Sequence, residues 1–188
     1  MTAPVAPTIA DYVENILCYL GENIKRDGLQ ETPKRVEKAL LELTEGYTFN
    51  QSKILEKTFE TENDSMVICK DIDFYSLCEH HMLPFFGKVH IGYIPNGRVV
   101  GISKLVRLVH CFSRRLQIQE TMTYQISHAI QRELKPLGVM VVVKAQHLCM
   151  KMRGVANSSS EMITSSIDGN FRQREVRSEF LHLIKENL

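Results

Sequence analysis

The chain has 188 residues, 44% of them hydrophobic and 24% charged, enough to bury a core within one domain that carries an N-terminal appendage. Lys and Arg number 23 against 22 Asp and Glu, so the formal net charge is +1, which excludes a chain-wide basic field for wrapping nucleic acid or lying on an anionic membrane. Any anion site must therefore be local.

The first ten residues lack the basic start and apolar run of a signal peptide, and no apolar stretch is long enough to span a bilayer. A cytoplasmic protein is expected. Cys18, Cys69, Cys78, Cys111 and Cys149 are an odd number without regular spacing, which argues for reduced thiols, some of them free to bind metal.

Ile9, Tyr12, Val13, Ile16, Leu17, Leu20 and Ile24 recur at helical steps behind a Thr8–Asp11 capping box, and predict a first helix. Thr32-Pro33 opens a second, with Val36, Ala39, Leu40 and Leu43 on one face and a stop near Gly46. These helices and the polar stretch after them make residues 1–65 an N-terminal helical region. Residues 66–188 form the main domain.

Met66 to Cys69 and Ile72 to Tyr75 read as strands, and Val89, Ile91 and Tyr93 alternate up to a Pro95-Asn96-Gly97 turn. Val99 to Ile102 is expected to complete a hairpin there. Ser103 caps a predicted helix carrying Leu105, Val106, Leu108, Val109 and Phe112, and another carries Met122, Ile126, Ala129, Ile130 and Leu134 up to Pro136. Val139 to Ala145 is a continuous apolar strand, Met162 to Ile167 a further one, and Phe180, Leu183 and Ile184 mark a terminal helix. The fold class is α+β with an antiparallel sheet.

Two clusters carry metal chemistry. Cys78-Glu79-His80-His81 puts a thiolate and an imidazole three residues apart, a spacing one tight turn can aim at a single ion. His147-Leu148-Cys149 follows the buried strand directly and supplies the other half. Cys78, His81 and Cys149 would leave a fourth position open, the catalytic pattern for zinc, and their sulfur and nitrogen donors disfavour magnesium or calcium. Taken singly, Cys149 also reads as a small buried hydrophobe and His147 as a hydrogen-bonded core histidine. Cys18, Cys69 and Cys111 lie in apolar patterns, His110, His128 and His182 sit on predicted helices without a partner at ligand spacing, and His90 alternates outward on its strand, so all seven stay outside the site.

Gly101 to Arg107 joins a strand to a helix start, where backbone N–H groups, Ser103, Lys104 and Arg107 could cradle phosphate; a solvated basic helix face is the competing reading. Arg153 could add a guanidinium beside Gly154. Glu120 opens a helix, where a carboxylate either caps the end or recognises a donor edge such as that of guanine.

Four ordered blocks, residues 76–85 around Cys78-Glu79-His80-His81, Gly101-Ile102-Ser103-Lys104-Leu105, Ser113-Arg114-Arg115-Leu116-Gln117-Ile118-Gln119-Glu120 and His147-Leu148-Cys149-Met150, resemble the type I GTP cyclohydrolase family. The resemblance implies the tunnelling fold, two stacked pentamers forming a homodecamer with active sites between subunits, and zinc-dependent hydrolysis of GTP at C8 to 7,8-dihydroneopterin 3'-triphosphate and formate. It implies Cys78, His81 and Cys149 as zinc ligands and His80 and His147 as proton carriers. It further implies Ser103, Lys104, Arg107 and Arg153 on the triphosphate, with Gln119 and Glu120 facing the purine. His110 stands where a more acidic residue is common in the family, and Ile167 to Asn170 is more polar than its pattern. Two other readings compete: a nitrile reductase of the same fold acting on a deazaguanine with a cysteine nucleophile and NADPH, and a module in which zinc is structural and the basic helix binds nucleic acid.

Overall fold

The computed structural model describes residues 6–185. Contacts divide the chain into two compact units that meet between Thr44 and Glu45. The first holds α1 (Ile9–Tyr19) and α2 (Thr32–Leu43), which pack on each other. The Thr8–Asp11 capping box is formed, and α1 ends at Tyr19, short of Ile24. Of its apolar face only Val13 is buried, while Tyr12, Ile16, Tyr19 and Leu20 are exposed.

The second unit opens with a 3₁₀ turn at Glu45–Thr48, α3 (Gln51–Leu55) and β1 (Thr58–Glu60), followed by β2 (Val67–Cys78), β3 (Pro84–Ile94) and β4 (Arg98–Val100). After α4 (Ile102–Ser113) come β5 (Leu116–Gln117), α5 (Gln119–Leu134), β6 (Gly138–His147), α6 (Leu148–Lys151), β7 (Met162–Gly169), a 3₁₀ turn at Asn170–Arg172 and α7 (Arg174–Lys185). The main sheet runs β5-β2-β3-β6-β7, antiparallel except for the two-residue β5, which adds parallel to the end of β2.

The hairpin expected across Pro95-Asn96-Gly97 does not form. Val99 pairs instead with Phe59, so β4 and β1 make a separate two-stranded sheet. Gly97 turns the chain with φ of 73°, and the Tyr93 hydroxyl accepts the Val100 N–H at 3.3 Å, tying β4 across β3 instead of along it. The two strands predicted at 66–75 are one, β2, interrupted by an irregularity between Cys69 and Ile72. Asp71 sits there at φ 60° and donates its N–H to His90 Nδ1 at 3.2 Å, so a bulge absorbs the break in the apolar pattern. Helix α4 starts at Ile102 with Gly101 at its cap, so Ser103 lies inside the first turn and makes no capping bond.

One face of the sheet carries the core. Phe74, Phe85, Val89, Ile91, Val139, Val141 and Val143 pack against Leu105, Leu108, Val109 and Phe112 of α4 and Met122, Ile126 and Ile130 of α5. The period-2 strands and the helical stripes read from sequence meet at this layer. A second cluster covers the opposite face at the start of β6, where Phe171 and Phe180 close on Met140 and Val142. Gly92 makes room for it, because a Cβ there would lie 2.6 Å from the Phe180 ring. Further along, that face is polar, with Lys88–Asp73 and Lys144–Glu161 ion pairs at 2.7 and 2.9 Å. No helix among the described residues is long and apolar enough to cross a membrane.

Candidate active site

The turn between β2 and β3 builds the first half of the site. Cys78 N–H donates to the Leu83 carbonyl at 2.9 Å, His81 and Met82 N–H groups fold back on the Cys78 carbonyl, and Met82 takes φ of 54° to close the loop. Cys78 and His81 are thereby held on one turn, with Cys78 Sγ 3.8 Å from His81 Nδ1. The second half arrives through sheet register. Phe85 pairs with His147, their rings stack at 4.6 Å and 6°, and α6 carries Cys149 just beyond.

The ligand atoms of Cys78, His81 and Cys149 lie within 4.8 Å of one another. A tetrahedral zinc with bonds of about 2.3 Å to sulfur and 2.0–2.1 Å to nitrogen sets its ligand atoms slightly under 4 Å apart, so the group fits such an ion after small side-chain adjustment. Burial, and after it the neighbouring Cys78 thiol, pushes the Cys149 thiol up. A divalent cation held by this group would offset that penalty, because it would stabilise the thiolates.

His80 Nδ1 also stands 3.9 Å from Cys78 Sγ, on an exposed side chain beside Glu79. His147 is half-buried, and burial lowers its pKa against the opposing field of Glu120. Its Nε2 lies 2.8 Å from Gln119 Oε1. Gln119 is fully buried at the first turn of α5, while Glu120 beside it is exposed. Arg153 is close enough for its charge to act on Cys149.

Ser103, Lys104 and Arg107 are not brought to this group within one chain. The C-terminal end of α4 meets β2 near the site, where Ser76 Oγ and Leu77 N–H donate to the Arg115 carbonyl. Ser103 is ten residues back along the helix, roughly 15 Å at 1.5 Å per residue. Its end of α4 adjoins Val100, which is bonded to Tyr93, and Tyr93 pairs with Val67 at the far end of β2 from Cys78. Arg107 instead lines an open cavity of about 510 Å³ with Asn50, Lys53, His110 and Arg114. Lys53 is a cation the sequence reading passed over; only its place in the fold puts it beside Arg107.

The family profile described as GTP cyclohydrolase I matches residues 9–185. The chain belongs to the GTP cyclohydrolase I family. Among relatives named GTP cyclohydrolase 1, that of Bacteroides fragilis is 51% identical over 185 residues, covering 98% of this chain and 95% of its own. That of Parabacteroides distasonis is 53% identical over 181 residues, covering 95% and 92%. A weaker likeness, 19% identical with a TM-score of 0.45 over 58% of this chain and 98% of the other, is to a crystal structure of the archaeosine synthase QueF-Like in the apo form.

Proposed function

We propose that this GTP cyclohydrolase I family member hydrolyses the guanine imidazole ring of GTP at C8, releasing formate and forming 7,8-dihydroneopterin 3'-triphosphate, with zinc as cofactor. The observation that carries the reading is the convergence of Cys78, His81 and Cys149 beside the His147–Gln119 pair at one end of the sheet.

Cys78, His81 and Cys149 would hold the metal. Zinc bound by three protein ligands supplies Lewis-acid activation of water, whose pKa falls to about 7. His147, whose pKa burial lowers, and His80, exposed on the turn, are the groups that move protons to and from the ring nitrogen as the C8–N bond breaks. Glu120, at the exposed start of α5, offers a carboxylate to the donor edge of the guanine, where the helix N-terminus favours its charge. Arg153, whose charge acts on Cys149, is a cation of the same chain that can reach a bound anion there.

The triphosphate-binding set Ser103, Lys104 and Arg107 is contributed by another copy of the chain, in a homodecamer of two pentamers built on the tunnelling fold. The separation of that set from the metal group within one chain supports this assembly, and the exposed apolar face of α1 is surface that further contacts could cover. Incubating zinc-loaded protein with GTP and measuring formate together with an oxidisable fluorescent pterin tests the proposal. Both products should appear together and vanish on chelation; protein that retains zinc yet yields neither product would refute it.

A further inference from the structure

The side chain of Gln119 has no surface left for a substrate. Its Nε2 has three acceptors around it, the carbonyls of Val143 at 3.2 Å and Met162 at 3.1 Å and Thr164 Oγ1 at 3.1 Å. Carbonyls only accept, so the amide cannot be flipped without setting Oε1 against two of them. Oε1 therefore faces His147 and, being an acceptor, requires a proton on His147 Nε2, 2.8 Å away.

The hydroxyls behind the amide run in the same direction. Thr123 Oγ1 donates to the Gln119 backbone carbonyl at 2.7 Å, so at its 2.7 Å contact with Thr164 it accepts, and the Thr164 proton points toward it. Thr164 is then left with lone pairs for the Gln119 amide. From His147 through Gln119 and Thr164 to Thr123, the donors all point the same way, and the chain closes on the backbone of α5. Gln119 and Thr123 are 0% and 1% exposed, so water does not compete for these bonds.

The geometry points to Gln119 as a positioning residue that holds His147 as the Nε2–H tautomer with a bare Nδ1, and not as a contact to the purine. Phe85, stacked on the imidazole, fixes the ring plane while Gln119 fixes its rotation within that plane. The ring nitrogen with a lone pair available to the reaction is then Nδ1. The kinetic consequences rest on the hydrolytic reading proposed above; the tautomer does not.

Two measurements test the inference. Zinc-loaded holoenzyme labelled with ¹⁵N-histidine is examined by solid-state NMR above the ordinary histidine titration range, the His147 signals being identified by their loss in His147→Asn. A protonated Nε2 and bare Nδ1 are expected, and the reverse assignment overturns the inference. Gln119→Leu is then compared with the parent on GTP and on inosine triphosphate, which lacks the exocyclic amino group. Loss of the tautomer lock should lower kcat about 10²-fold with little change in KM. It should leave the preference for GTP over inosine triphosphate intact and cause no further loss in the His147→Asn background. A raised KM with eroded preference for GTP would identify Gln119 as a purine contact and overturn it. Failure of the parent enzyme to release formate would refute the hydrolytic reading, and the NMR spectrum would still decide the tautomer.

Discussion

If one copy supplies the metal group and another the triphosphate set, two impaired variants should restore each other. Cys149→Ser removes a thiol of the proposed metal group, and Arg107→Ala removes a cation of the proposed triphosphate set. A charge-assisted bond to phosphate is worth about 1.5–3 kcal/mol, so Arg107→Ala alone should cost roughly 10- to 150-fold in kcat/KM. Co-expressed in equal amounts and assembled at random, the two variants leave each half of a site intact with even odds. About a quarter of the sites then combine an intact metal group with an intact phosphate set, provided the two halves come from different copies. Formate release at low GTP should therefore reach about 25% of the parent rate. Were both halves in one chain, no site would be whole, and the mixture would stay at or below about 5%, half the residual rate of Arg107→Ala. Differently tagged chains purified through both tags establish that mixed assemblies are being assayed. A rate equal to the mean of the two pure variants would refute the shared site.

Cys149→Ser and His81→Ala should lose bound zinc while Cys111→Ser retains it, because Cys111 is buried in α4 with Arg115 donating to its sulfur at 3.3 Å; metal analysis of the purified proteins decides this. Chelation should abolish formate release yet shift the thermal midpoint by less than about 10 °C, since the metal group lies at one end of a core already closed by apolar packing; a larger fall, seen by calorimetry, would make the metal structural. His90 should give stability a pH dependence. Burial, then the fields of Lys70, Lys88 and Lys144, lower its pKa from the ordinary 6.5 against the opposing Asp71 carboxylate, and the Asp71 N–H needs its Nδ1 bare. The unfolded chain therefore binds the proton first, so this contribution is complete above 6.5 and is lost as pH falls below it. Denaturant titrations should show that His90→Asn, which retains an acceptor near Nδ1, flattens the decline. Phe180→Ala, which empties a fully buried site against Phe171, should cost about 3–5 kcal/mol in the same titrations, and a loss under about 1 kcal/mol would deny α7 a role in closing that face.

Periodicity made the layers legible: the apolar stripes of α4 and α5 and the unbroken run of β6 are local signals. The bulge at Asp71 was hidden because a polar pair inside a strand looks like its end, and the His90 contact that accommodates it lies nineteen residues away. The partner of β4 was hidden for the same reason, since Phe59 is forty residues upstream of Val99 and a Pro-Asn-Gly turn more commonly signals a hairpin. Within the site, both ligand clusters could be read from residue type and spacing, whereas their meeting depends on the β3–β6 register. Gln119 shows the limit most clearly. Beside Glu120 it reads as a polar residue at a helix start, and only the surrounding carbonyls of β6 and β7 reveal a buried amide.

The register that joins the two clusters is enforced by the core itself. Val139, Val141, Val143 and Ala145 share the core face of β6 with His147, while Lys144 and Gln146 point to the other. Because side chains alternate along a strand, a slip of one residue would turn His147 away from Phe85 and carry Lys144 into the apolar layer. Met140 and Val142 would take the places of the valines at little cost, so the register is decided at Lys144, whose ammonium would leave Glu161 and enter the apolar layer unpaired, a penalty of several kcal/mol. The position of His147 beside Cys78, His81 and Cys149 is therefore as secure as the fold. Substitutions that loosen the face from Val139 to Ala145 should damage activity through misplacement of His147 and Cys149.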